Sequence, residues 1–121
     1  MIAIGSLNKG NIIDVEFPFY DDKSKHKRRP AVVIGYDSCN TFVVLLKVTT
    51  HSPRTKYDYT VLDAKLAGLR EGSTVRCNQV LVLSNGEICK YRGSLTRRDF
   101  IAVEYLFNMA YQSGHIQGLV K

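Results

Sequence analysis

Pro30-Ala31-Val32-Val33-Ile34-Gly35-Tyr36 and Phe42-Val43-Val44-Leu45-Leu46-Lys47-Val48, joined by Asp37-Ser38-Cys39-Asn40-Thr41, decide the fold class. Both runs are short and rich in β-branched side chains. The connection has the length and turn-forming composition of a β-hairpin, so the runs read as two neighbouring antiparallel strands. Their near-continuous apolarity places them at the centre of a sheet. Upstream, residues 11–17 (NIIDVEF) alternate, with Ile13, Val15 and Phe17 on one face and Ile12, Asp14 and Glu16 on the other, and Pro18 ends the strand. Downstream, residues 57–62, 73–83 and 87–92 supply further strands, punctuated by glycines. Asn85-Gly86, between two apolar runs, is the strongest hairpin signal in the chain.

Helical spacing dominates only near the end of the chain. From Thr96, with Asp99 three residues on as an approximate capping box, Phe100, Ile101, Val103, Leu106, Phe107 and Ala110 recur at i, i+3, i+4 and i+7. Residues 62–69 predict a shorter helical turn closed by Gly68, and residues 113–121 read as a frayed tail. A parallel sheet would need a helix-length crossover after each strand. The pattern therefore predicts a mainly β fold, a small antiparallel barrel about residues 9–93 followed by a helix about 96–112, in one domain spanning 1–121.

A chain of 121 residues with 45% hydrophobic and 23% charged side chains is an ordinary globular domain, large enough to bury a core without a staple. The longest apolar run, residues 42–46, is far short of the ~20 residues that cross a bilayer. The N-terminus shows no basic leader or cleavage site, so a cytoplasmic location without membrane attachment is expected. Cys39, Cys77 and Cys89 are odd in number and lack CxxC spacing; they are expected to be buried, reduced thiols. No HxH, HExxH or carboxylate cluster has ligand spacing, so neither metal nor cofactor is assigned.

Charge is more informative. Seventeen Lys and Arg against eleven Asp and Glu give +6, which favours polyanionic partners. Residues 21–29, DDKSKHKRR, hold five cations against two carboxylates. Pro30 pushes Arg29 toward an extended backbone, so its guanidinium sits at a restricted loop-to-strand junction and can match a phosphate with two parallel donors. Thr49 and Thr50 follow the apolar run where a strand leaves the core. Their hydroxyls can donate to phosphate or satisfy nearby backbone. Arg76 and Asn78, two apart on a strand, point to one face and could brace a phosphate or read a base edge. His26 lies among cations that disfavour its protonation, and His51 lies two residues past Thr49; either could serve as a base near neutral pH. Phe19, in the first loop, could stack an unpaired base.

These residues reach a family. Lys9-Gly10-Asn11-Ile12-Ile13-Asp14-Val15, a polar loop, then Arg28-Arg29-Pro30-Ala31-Val32-Val33-Ile34 resembles the G-D-[IV] strand and R-P-[AV]-[LV]-[IV] element of the MazF/PemK/Kid toxins. Val48-Thr49-Thr50 resembles the family's [IV]-T-S strand end, Val75-Arg76-Cys77-Asn78-Gln79 its V-R-C-D-Q element, and Gly93-Ser94-Leu95 its closing G-x-[IL]. The resemblance covers about residues 9–110. It implies an SH3-like barrel that forms a homodimer, acts as the toxin of a toxin–antitoxin pair and is silenced by a cognate antitoxin. The implied activity is metal-independent, sequence-specific cleavage of single-stranded RNA, inhibiting translation and growth. Arg29 matches the family's catalytic arginine, Thr49 its catalytic threonine, and Arg76 an arginine that some members use. Two departures stand out: Asn78 replaces an aspartate, and Lys23-Ser24-Lys25-His26-Lys27 replaces the H-E-Q-x-G loop.

The chemistry so implied is attack of a ribose 2'-OH on the adjacent phosphorus, giving a 2',3'-cyclic phosphate and a 5'-OH. Arg29 and Thr49 would donate to the oxygens where charge builds, and His26, with His51 second, would move the proton. Lys25, Lys27, Arg28, Thr50, His51, Arg76, Asn78 and Phe19 would hold the RNA. Two alternatives carry different expectations: a non-catalytic toxin of the same fold that binds a protein such as gyrase, and a basic RNA-binding module that leaves RNA uncut.

Overall fold

The computed structural model of the chain describes residues 4–18, 26–39, 41–84 and 88–120. After a short 3-10 turn (Ile4–Ser6) come strands β1 (Asn11–Pro18), β2 (His26–Tyr36), β3 (Phe42–Thr49), β4 (Asp58–Thr60), β5 (Thr74–Ser84) and β6 (Lys90–Ser94), helix α1 (Arg97–Gln112) and strand β7 (Gln117–Val120). The strands form one sheet in the order β4-β5-β3-β2-β1-β6, with β7 beside β5. The predicted mainly β fold with a C-terminal helix is therefore present, barrel-like in its curl although the strand ladder is not closed between β4 and β6. Asn85-Gly86 lies outside the described residues.

The central hairpin forms as its sequence demands. Asp37 organises the β2–β3 turn, its carboxylate accepting from the backbone N–H groups of Thr41 and Phe42 at 2.8 Å each and from the Thr41 hydroxyl. Strand alternation then sends Ile13, Val15, Ala31, Val33, Val43, Leu45, Leu81 and Leu83 to one side of the sheet, where Ile4, Leu7 and Ile88 join them. Ile12, Val32, Leu46, Val48, Val75 and Cys77 go to the other side and meet Val103 and Ala110 of α1. Each fully buried aliphatic side chain contributes about 1.5–3 kcal/mol by leaving water.

Because the second face is covered as well, Ile12 and Asp14, expected to point outward, are buried. Asp14 is compensated by Arg92, whose Nε and Nη2 donate to its two oxygens at 2.9 and 3.2 Å. The segment between β4 and β5 makes the expected helical turn, with Ala67 N–H donating to the Asp63 carbonyl at 3.2 Å. It lies against β6 so closely that a Cβ on Gly93 would stand 2.4 Å from the Ala67 carbonyl oxygen, which explains glycine there.

Three expectations are corrected. The capping box at Thr96 does not form: the Thr96 side chain makes no cap hydrogen bond, and Asp99 is fully buried. Its carboxylate accepts from Tyr59 Oη at 2.6 Å and from the backbone N–H groups of Leu62 and Asp63 at 3.0 and 2.9 Å, tying α1 to the β4–β5 segment. Burial and this carboxylate push the Tyr59 phenol far above its usual range. Second, residues 113–121 are not simply frayed, since Gln117–Val120 form β7, parallel to Gln79–Val82 of β5. The three residues of β4 pair only with Thr74, Val75 and Arg76, which leaves Gln79–Val82 of that edge for β7. Gly114 (φ +73°) turns the chain back, and Gly118 lies against Val80 where a Cβ would stand 3.0 Å from Cγ2. Third, only Cys77 is buried; Cys39 and Cys89 are exposed, although all three are free.

Candidate functional site

The apolar face of Val33, Leu45 and Leu81 turns polar toward one end of the sheet. Along β2 the residues of that face run Val33, Ala31, Arg29; along β3 they run Leu45, Lys47, Thr49. Along β5 they run Leu81 and Gln79, then Arg76, because the register against β3 shifts between the Leu46–Val80 and Lys47–Arg76 pairs. The same strands that build the core thus deliver a row of cations and hydroxyls to its open end. Lys47, Arg76 and Asp58 are aligned across β3, β5 and β4.

Arg29, Lys47, Thr49, His51, Arg54, Thr55, Arg76 and Gln79 line a cavity of about 340 Å³. A second, of about 230 Å³, adjoins it and includes Lys27, Arg28, Pro30, Thr50, Arg70 and Arg92. Arg29 and Thr49 belong to both walls, so they stand at the partition between the two. No carboxylate lines either cavity among the described residues.

Two of the cations are held in place. Arg76 Nη1 donates to Asp58 Oδ2 at 2.7 Å with both side chains almost wholly buried. The same oxygen accepts from the Arg54 N–H at 2.8 Å, fixing the backbone that carries Arg54. Arg29 is different: its guanidinium has no hydrogen bond or ion pair among the described residues. Burial and the nearby Arg76 charge lower its pKa. Burial also lowers that of Lys47, with further contributions from Arg29, Arg76, Arg54 and Lys27. Such a concentration of partly desolvated positive charge is arranged for an anion.

Thr49 carries the decisive local geometry. Its Oγ1 lies 3.0 Å from His51 Nδ1 and accepts from the His51 backbone N–H at 3.2 Å. A hydroxyl and an imidazole therefore share a hydrogen bond beside a guanidinium that is unpaired among the described residues. A family model described as PemK-like, MazF-like toxin of type II toxin-antitoxin system matches residues 8–109.

The chain belongs to this toxin family. No curated protein matches it by sequence. Among solved structures, the toxin is similar to an endoribonuclease from a mycobacterial species, with 15% identity and TM-score 0.69 over 93% of this chain and 94% of that one. It is also similar to an endoribonuclease in complex with its cognate antitoxin from mycobacterial species, with 14% identity and TM-score 0.70 over 88% and 96% of the two chains. A MazE-MazF crystal structure from Deinococcus radiodurans matches with 15% identity and TM-score 0.67 over 92% and 98%. At these identities the likeness is one of fold.

The toxin's fold thus gathers Arg29, Thr49, His51 and Arg76 around one cavity and places Lys27, Arg28 and Thr50 on the adjoining one. Asn78 is separated from them. The irregular stretch of β5 after Arg76 turns it toward the tail, where its Nδ2 donates to the His115 carbonyl at 3.4 Å. His26 begins β2, but its side chain lies outside what is described, as do Phe19 and Lys25 altogether. Sequence reasoning missed Lys47, Arg54, Gln79, Arg70 and Arg92. Lys47 did leave a signal, as a lone charge in an otherwise apolar strand.

Proposed function

We propose that this toxin is a sequence-specific endoribonuclease that cuts single-stranded RNA by internal 2'-OH attack, leaving a 2',3'-cyclic phosphate and a 5'-OH. The observation that carries the reading is the Arg29 guanidinium, unpaired among the described residues, beside the Thr49–His51 hydrogen bond in a cavity that no described carboxylate lines. A guanidinium stays charged when partly desolvated and presents paired donors to a phosphate.

Thr49 Oγ1 already accepts from the His51 backbone N–H. In this reading His51 Nδ1–H is its second donor, which leaves the threonine's own proton to turn toward a non-bridging phosphate oxygen. The same tautomer leaves His51 Nε2 with a lone pair able to take the 2'-OH proton. His26 stands as the second base of the proposal. Arg29 and Thr49 together stabilise the charge that builds on phosphorus oxygens, where loss of one donor costs about 10²–10³ in rate. Arg76, Lys27, Arg28 and Thr50 hold flanking phosphates. Arrest of translation, silencing by a cognate antitoxin, homodimerisation and action in the cytoplasm belong to the same reading, which family membership supports. Ile101 and Tyr105, exposed one turn apart on α1, offer apolar surface for a partner.

The test is incubation of the purified toxin with a long single-stranded RNA in EDTA, with the new ends mapped beside Arg29→Ala. Discrete cuts with cyclic-phosphate ends that vanish in the variant support the reading. Intact RNA with a growth-arresting toxin would replace it with a protein target.

A further inference from the structure

The chain end builds a second kind of cavity beside the cationic one. It measures about 490 Å³ and is lined by Thr55, Tyr57, Asn78, His115, Ile116 and Gln117 among others. Thr55 also lines the Arg29–Thr49 cavity, so the two share a wall. Their chemistry differs sharply. Among the described residues the cationic cavity gathers three arginines and a lysine, whereas the tail cavity has one cation, Lys56, whose ammonium sits 5.3 Å over the Tyr57 ring.

What the tail cavity offers is a ring and amides. The buried Tyr57 phenol hydrogen-bonds His115 Nδ1 at 2.6 Å, and the two rings tilt at 56° with centroids 5.7 Å apart. The exposed His115 imidazole is thereby held in one orientation. Its backbone is pinned from both ends, by its N–H to the Ala110 carbonyl at 2.9 Å and by Asn78 Nδ2 to its carbonyl at 3.4 Å. With Nδ2 so engaged, Asn78 Oδ1 has no partner among the described residues. Gln117, exposed at the start of β7, adds a second amide at the rim. A fixed aromatic ring beside one amide acceptor left open among the described residues and a second, exposed amide, with little charge, suits a flat heterocycle rather than a phosphate.

We propose that this cavity holds one base of the RNA flanking the scissile phosphate, stacked on His115 and read at its edge by Asn78 Oδ1 and the Gln117 amide. The inference rests on the endoribonuclease reading. Asn78 Oδ1 can accept from the exocyclic amino group of adenine, cytosine or guanine, whereas uracil offers a donor only at N3, flanked on both sides by carbonyl oxygens that repel the acceptor, so the site favours the three amino-bearing bases over uracil.

The experiment is cleavage of an RNA pool randomised on both sides of the preferred cut, with the ends sequenced, for the wild type, Gln117→Ala and His115→Ala. Both substituted side chains are exposed, and comparing bases within one reaction cancels differences in total activity. The expected result is a wild type that disfavours uracil about tenfold at one flanking position, with that bias falling to about twofold or less in both variants. Variants that keep the wild-type profile, or a wild type indifferent to uracil at every flanking position, would overturn the base site while leaving the nuclease intact. So would Gln117→Ala that melts like the wild type yet cuts nothing, because it would place Gln117 in the chemistry. A wild type that cuts no RNA would overturn both readings together.

Discussion

Arg76 Nη1 lies 2.7 Å from Asp58 Oδ2, and the pair joins β5 to β4 with 6% and 1% of the two side chains exposed. Removing one member leaves the other charge buried and uncompensated. Asp58→Ala is therefore expected to destabilise the toxin by about 3–5 kcal/mol in chemical denaturation. Replacing both partners with apolar residues of similar volume should recover most of that loss. A single variant within experimental error of the wild type would show that Arg76 finds another partner.

Asp63 couples stability to acid. Arg98 donates to both of its oxygens and Thr96 to one, and these hydrogen bonds hold its pKa at about 2, below the ordinary 3.8. The unfolded chain therefore takes up this proton first as pH falls. The stabilisation is fully present above the ordinary carboxylate range and is lost as pH drops from about 4 toward 2. Asp63→Asn should flatten that part of the curve of unfolding midpoint against pH.

The three thiols should react unequally. Burial, aided by Asp58, pushes the Cys77 thiol up to about 12, so it carries almost no thiolate at neutral pH. Iodoacetamide at pH 8 is expected to alkylate Cys39 and Cys89, both exposed, and to spare Cys77 until the protein unfolds. Peptide mass spectrometry reads this directly, and early labelling of Cys77 would contradict it.

His51 touches Thr49, and its removal should slow RNA cleavage more than removal of His26. His51→Ala is expected to lose about 10²–10⁴ in single-turnover rate, the range for a positioned proton-transfer group. A larger loss in His26→Ala would transfer that role to His26.

Phosphate-led binding should weaken steeply with salt. Arg54 is exposed at the cationic cavity, and Arg54→Ala should reduce the slope of log K against log salt by about 0.7, one single-strand phosphate contact. An RNA with its 2'-OH groups methylated, titrated by fluorescence anisotropy, gives the slope without cleavage. An unchanged slope would take Arg54 off the RNA path.

Local chemistry made much of this molecule legible from its residues alone. The apolar runs around the Asp37 turn specify a hairpin, the periodicity after Thr96 specifies a helix, and Pro30 places Arg29 at a strand entrance, each within a few neighbouring residues. Residue type and motif point to Arg29, Thr49, His51 and Arg76 as candidates for the site. Their shared cavity was not legible, because it depends on register between β2, β3 and β5. Alternation by two suggested a common face for Arg76 and Asn78, and the irregular register after Arg76 parts them. Asp99 has the spacing of a helix cap, yet partners 36, 37 and 40 residues away claim its carboxylate. The tail carries no strong strand pattern of its own. It becomes a strand because β4 is too short to cover the edge of β5, which is a fact about the assembled sheet. Side-chain spacing along the chain determined what each segment could form and which groups could bind phosphate. Only contacts between distant segments decided which groups meet, which are neutralised by a partner, and that the Arg29 guanidinium is left without one among the described residues.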